Sequence, residues 1–90
     1  MTEDSSESLI EFPCYFPIKI IGDAHQDFIN QISVLITKHI EDFNTKKIES
    51  KFSKEGKFIS LTCTIYVTTK KQLDLIYIDL SSHPMTKFVL

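Results

Sequence analysis

Residues 57–69 read KFISLTCTIYVTT. Two sets of side chains alternate along this stretch. Ile59, Leu61, Cys63, Ile65 and Val67 fall on one side; Phe58, Ser60, Thr62, Thr64 and Tyr66 fall on the other. A period of two, rich in β-branched and aromatic residues, is the pattern of a strand with one buried and one open face. The first set predicts the side turned to a core, and the second the exposed side of a sheet.

The neighbouring segments read outward from this strand. Just before it, Glu55-Gly56 makes a tight turn in which Gly56 is free to take positive φ. Residues 45–53, TKKIESKFS, form a shorter alternating strand and complete a hairpin. Further back, residues 12–24 read FPCYFPIKIIGDA. Within them CYFPIKII puts Phe16, Ile18 and Ile20 on one face and Tyr15, Pro17 and Lys19 on the other, a first strand ended by Gly22. Pro17 has no amide to donate, so it belongs at a gap in the ladder or near the strand start. Between these strands, Phe28, Ile32, Leu35, Ile36, His39 and Ile40 recur at a helical period. That spacing predicts a helix over 24–41, capped by Asp23 with Gln26 as its capping-box partner. Beyond the long strand, Thr69 can cap a second helix that runs to Ser82, with Leu73, Ile76, Tyr77 and Leu80 as its buried stripe and Pro84 as its stop. Residues 85–90, MTKFVL, close the chain as a last strand.

The order is therefore βαββαβ. With right-handed crossovers it folds as an α+β ferredoxin-like sandwich, a four-stranded antiparallel sheet in the order 4-1-3-2 with two helices on one face. Residues 9–90 make a single domain. Residues 1–8, MTEDSSES, are acidic and poor in apolar groups, which predicts a disordered tail, tethered by Leu9, Ile10 and Phe12.

Composition narrows the function. The chain has 90 residues, of which 42% are hydrophobic. A chain this short buries about 60% of its unfolded surface, yet its apolar content can build a core without disulfides or a metal. The net charge of −2 gives no global field toward nucleic acid or anionic lipid. All 10 basic residues are Lys, so the planar bidentate reader of phosphate and carboxylate is missing. Nucleic acid is not the expected partner. No run approaches about 18 apolar residues, and the acidic N-terminus is unlike a secretory signal. The expectation is a cytoplasmic protein that does not engage a membrane.

The reactive side chains are few. Cys14 and Cys63 are the 2 cysteines. If strands one and three pair with centres aligned, Cys63 faces Ile18 and Cys14 lies about 13 Å away, beyond the span of about 4.4–6.8 Å that a disulfide allows. Cys63 reads as a small core hydrophobe. Cys14 has no imidazole or guanidinium near it in sequence to activate it. His25, His39 and His83 show no metal-ligand spacing, so no metal and no cofactor are expected. His39 reads as a packed histidine on helix one.

The topology gathers polar residues at one pole. Strand one runs up to Gly22, strand four runs down from Pro84, and the hairpin turn closes at the same end. Gly22, Asp23, His25, Lys54, Glu55, Gly56, Lys57, Ser82 and His83 should meet there, beside the amides that open helix one, where an anion is favoured. The pole is either the solvated end of the molecule or a site for an effector or partner. Lys46, Lys47, Lys51, Lys54 and Lys57 line strand two and its hairpin, where edge lysines blunt strand pairing or meet an acidic partner or RNA. At the opposite edge Met85, Lys87 and Val89 offer a short apolar strand to a second copy of the chain or to a partner strand.

Several of these segments together resemble a known pattern. EFP at 11–13, KIIG at 19–22, SKEGKF at 53–58, QLDLIY at 72–77 and VL at 89–90 are similar to the YbeD-like family of small bacterial proteins, over residues 9–90. That family carries no established catalytic residues, so the resemblance implies a fold more than a reaction. It implies a domain similar to ACT-type regulatory domains, which bind small effectors, often amino acids, and use the equivalent first loop. Some members are encoded beside lipoate-attachment enzymes, which implies a link to lipoate metabolism. Thr86 stands where the family often has an aliphatic residue.

The reading that follows is a non-enzymatic regulatory module that binds a small metabolite or a protein partner, with a homodimer as one form of partnership. The alternatives are a small accessory enzyme using Cys14 or the polar pole, and an RNA-binding ferredoxin-like domain.

Overall fold

The computed structural model describes residues 11–90. The tail expected over 1–8, and Leu9 and Ile10 of its tether, lie outside the described residues; Phe12 packs against the core. The elements are β1 (Cys14–Asp23), α1 (Phe28–Thr37), a 3-10 turn (Thr45–Lys47), β2 (Ile48–Phe52), β3 (Phe58–Val67), α2 (Lys70–Ser81) and β4 (Thr86–Val89). The sheet order is β2-β3-β1-β4 and every pairing is antiparallel. This is the ferredoxin-like order read from the sequence.

The long strand behaves as its alternation requires. Ile59, Leu61, Cys63, Ile65 and Val67 are buried, and they join Ile18 and Ile20 of β1, Phe28, Ile32 and Ile36 of α1, and Leu73, Ile76 and Leu80 of α2 in one cluster. Both helices thus cover the same face of the sheet. Each such side chain contributes about 1.5–3 kcal/mol on burial. The register sets Ile18 against Cys63 and Cys14 against Val67, and both cysteines are free.

The hairpin and second helix also follow from local chemistry. Gly56 sits at φ 75°, and the loop is closed by Ser53 N–H donating to the Phe58 carbonyl at 2.8 Å. Thr69 Oγ1 accepts from Gln72 N–H at 3.1 Å, while Gln72 Oε1 accepts from Thr68 N–H at 2.8 Å, so the two side chains cap α2 in both directions. At its far end Ser82 Oγ donates to the Ile78 carbonyl at 2.8 Å. His39 Nε2 and Asp79 Oδ2 stand 2.7 Å apart and tie the segment after α1 to α2.

Three elements, helix one and the first two strands, are bounded differently from the sequence reading. Helix one spans Phe28–Thr37 rather than 24–41, and its cap position is Asp27, whose side chain makes no capping bond. Asp23 cannot cap it because the sheet claims Asp23: it pairs with Phe58, and its N–H donates to the Met85 carbonyl at 2.9 Å. The first strand accordingly passes through Gly22 instead of stopping there. Helix one ends early where Thr37 Oγ1 turns back to the Ser33 carbonyl at 2.7 Å; Ile40 and Phe43 still reach the core from the loop beyond. Residues 45–47 form a 3-10 turn because the Asn44 side chain accepts from Lys46 N–H at 2.9 Å and curls the chain before β2 begins.

Candidate functional site

The sheet face without helices carries the side chains that the core does not use. At its upper end lies a hollow of about 820 Å³, within the range of about 300–1,000 Å³ common for small-molecule sites. Its apolar lining is Ile21, Phe52, Phe58, Ile59 and Phe88, and its charged lining is Lys19, Lys51, Lys54 and Lys87 against the single carboxylate of Asp23. In a chain of net charge −2 this is a local excess of positive charge. The aromatic rings are open to solvent: Phe52 is 62%, Phe58 41% and Phe88 63% exposed.

Backbone irregularity builds one wall of this hollow. Ile21 pairs with Phe88, but Gly22 pairs with Thr86, so Lys87 is an extra residue in β4. A bulge of this kind re-aims a side chain. It places Lys87 beside Phe88 on the open face, with Lys87 Nζ 3.7 Å from Asp23 Oδ1. Gly22 makes the close approach feasible, because a Cβ there would collide with the Met85 carbonyl and stand 2.5 Å from Cζ of Phe28. The opposite wall is the β2–β3 hairpin, which contributes Lys51, Phe52, Lys54 and Phe58.

The residues expected to meet at this pole divide. Asp23 and Lys54 line the hollow. Gly22 supports its wall. Lys57 gives its carbonyl to Ala24 N–H at 3.1 Å and its ammonium lies 3.8 Å from Glu55. The other polar members are occupied within the fold. His25 Nδ1 accepts from Asp27 N–H at 3.1 Å. His83 Nδ1 accepts from Met85 N–H at 3.1 Å, which leaves Nε2–H to donate to Gln31 Oε1 at 2.6 Å. Ser82 is spent on α2. At the start of α1, Phe28 N–H donates to the His25 carbonyl at 3.0 Å.

The β4 edge is narrower than the sequence suggested. Met85 gives its carbonyl to Asp23, so Val89 and the bulged Lys87 carry what remains of the outward edge. The signal that sequence reading missed was Phe88 with Ile21: alternation along β4 puts them on the open face, but only the bulge brings Lys87 there too.

The thiols separate by burial. Cys63 is fully buried and its pKa is pushed up to about 12 by loss of hydration. Cys14 is half-buried beside the core. Among the described residues no group of three or more His, Cys, Asp or Glu could hold a metal ion, and no helix is long and apolar enough to cross a membrane.

Fold and open face together define a small α+β sandwich domain with one sheet face left uncovered by helices. Within that class, the chain belongs to the family described as protein of unknown function DUF493, whose model matches residues 7–90. It is 46% identical over 87 residues to a UPF0250 protein of a Janthinobacterium strain, covering 97% of this chain and 96% of that one. It is 43% identical over 90 residues to a UPF0250 protein of Nitrosomonas europaea, covering 100% of both. Among solved structures it is similar to the solution structure of protein HP0495 from H. pylori, with a TM-score of 0.70 and 19% identity over 100% of this chain and 94% of that chain. That likeness supports the fold alone.

Proposed function

We propose that the protein is a non-enzymatic binding module, of the regulatory ACT-like kind, and that the hollow on its open face takes a small organic anion with an apolar body. The observation that carries this reading is the lining: four lysines and one carboxylate around three exposed phenylalanine rings and Ile21. Lysines supply charge without fixed geometry, which suits a carboxylate or phosphate, while the rings and Ile21 desolvate the rest of the ligand. A binding role rather than catalysis is supported by the chemistry of the thiols and imidazoles. Cys63 stays a thiol at neutral pH, and His25 and His83 already use Nδ1 to accept from backbone amides.

An amide NMR titration with anilinonaphthalene sulfonate, phenylpropionate, octanoate and phenyl phosphate tests this. Saturable shifts confined to the residues of the hollow, lost in a Lys51→Glu, Lys87→Glu double variant, support it. Shifts elsewhere on the molecule, or none with all four compounds, overturn it. Oligothymidylate is included as a competitor. Tighter binding of that strand with a steep dependence on salt would replace the small anion by nucleic acid.

A further inference from the structure

The hollow on the open face carries its positive charge at two ends. Along β1 the alternation buries Ile18, Ile20 and Gly22 and turns Lys19, Ile21 and Asp23 to the open face. Lys19 and Asp23 are four residues apart on that strand, a rise of about 13 Å, and Ile21 stands midway between them.

The register extends this axis across the sheet. Asp23 is opposite Phe58, Ile21 is opposite Ser60 on one side and Phe88 on the other, and Lys51 is opposite Ser60. One end of the hollow holds the ammonium of Lys87, 3.7 Å from Asp23. Lys54 belongs to the same end, because its loop closes on Phe58, the partner of Asp23. Lys19 marks the other end. Between the two ends lies apolar surface, Ile21 flanked by Phe88, with Lys51 on the same row beyond Ser60.

These charges are not balanced within the lining. Asp23 is its single carboxylate and already stands beside Lys87. Lys19, Lys51 and Lys54 form no ion pair with another described residue. A ligand with one acidic group at the Lys87 end would leave Lys19 about 13 Å away along the strand. That exceeds the screening length of about 8 Å at physiological ionic strength, so one head does not serve both ends through solvent.

We infer that the ligand of this hollow is two-headed, an apolar body with an acidic group at each end. One head meets Lys87 and Lys54, the other meets Lys19, and the body lies over Ile21 against Phe88, where it leaves water. Lysine takes carboxylate and phosphate heads alike, as a point charge without fixed geometry. Spacing between the heads therefore selects the ligand, and a body too short to reach from Asp23 to Lys19 engages one end only. This inference rests on the reading of the hollow as a small-anion site and adds to it the second head and its distance from the first.

The test compares diacids with their half-amides by amide NMR titration of the full chain. Suberate and suberamate share one chain length and differ by one charge; succinate and succinamate are the short pair. Suberate is expected to bind about three- to fivefold more tightly than suberamate, with shifts at both the Lys19 and the Lys87 ends. Succinate should show no such gain over succinamate. Lys19→Gln, at an exposed position, should make suberate and suberamate equal. Equal binding of those two by the parent chain, with shifts in the hollow, overturns the second head and leaves the small-anion reading standing. An advantage of suberate that survives Lys19→Gln also overturns it. So does tighter binding of phenyl phosphate than of suberate that Lys19→Gln does not weaken, because one doubly charged head then occupies one end alone. No shift with octanoate or with any of these compounds overturns both.

Discussion

The ammonium of Lys87 stands 3.7 Å from the carboxylate of Asp23, and both side chains are 47% exposed. This pair joins the bulge of β4 to the last residue of β1 inside the upper hollow. An ion pair this exposed contributes about 0–1 kcal/mol to stability. Its larger consequence is for binding, since Asp23 competes with any ligand anion for Lys87. Asp23→Asn should tighten anilinonaphthalene sulfonate by about two- to fivefold, and Lys87→Gln should weaken it by a similar factor. Fluorescence titration of both variants checks this. Equal weakening by both would mean that Asp23 holds the ligand rather than competing with it.

Gly22 has no room for a side chain. Its missing Cβ faces the Met85 carbonyl and the Phe28 ring. The carbonyl is held by Asp23 N–H at 2.9 Å, and Phe28 is fully buried. Neither neighbour can retreat without disturbing β4 or the core. Gly22→Ala should cost about 1–3 kcal/mol, which lowers the thermal midpoint by about 4–8 °C per kcal/mol in a domain of this size. Adding Phe28→Leu should return part of that loss, because the two substitutions share one space. Thermal unfolding of the single and double variants decides it, and an unchanged midpoint in Gly22→Ala would show that the pole yields freely.

The two thiols should react very differently. Burial raises Cys63 from about 9 to about 12, so at pH 8 its thiolate is scarce and its sulfur is inaccessible. A thiol reagent should label the folded chain once, at Cys14, and the guanidinium-unfolded chain twice. The same shift links to stability. Between pH 9 and 12 the unfolded chain loses the Cys63 proton while the folded chain keeps it. Stability contributed by the protonated thiol is thus complete below pH 9 and is lost as pH rises toward 12, by about 1.4 kcal/mol per pH unit. Denaturant unfolding of Cys63→Ala across this window should show a shallower alkaline decline than the parent. Identical slopes would place the cause of any alkaline loss in other groups.

Most of the fold was legible in residues 57–69, because a period of two has only one structural reading and a one-residue slip would turn Ile59, Leu61 and Cys63 to solvent. Aligning the centres of the first and third strands set the pairing of Ile18 with Cys63. The start of helix one was not legible. Asp23 and Gln26 have ideal capping chemistry, but local preference lost to the ladder bonds that hold Asp23 to Phe58 and Met85. The candidate site was half legible. Topology brought Asp23, Lys54 and His83 to one pole, yet the choice between lining a hollow and stitching the fold depends on hydrogen-bond partners such as Gln31, distant in sequence. The bulge at Lys87 left no mark in the sequence, since MTKFVL alternates acceptably in either register.

Thr86 opens the last strand, β4. Its hydroxyl oxygen is buried with no hydrogen-bond partner among the described residues. It lies opposite Gly22, directly before the bulge. A buried hydroxyl without a partner forfeits its hydration, a cost of about 1–3 kcal/mol in proteins. Valine has nearly the same shape and no group to hydrate. Thr86→Val should therefore stabilise the domain by about 1 kcal/mol, seen as a higher urea midpoint with an unchanged slope. If Thr86→Val instead lowers that midpoint, the hydroxyl makes a bond to water or to a bound group at the bulge, and the packing account of this corner fails.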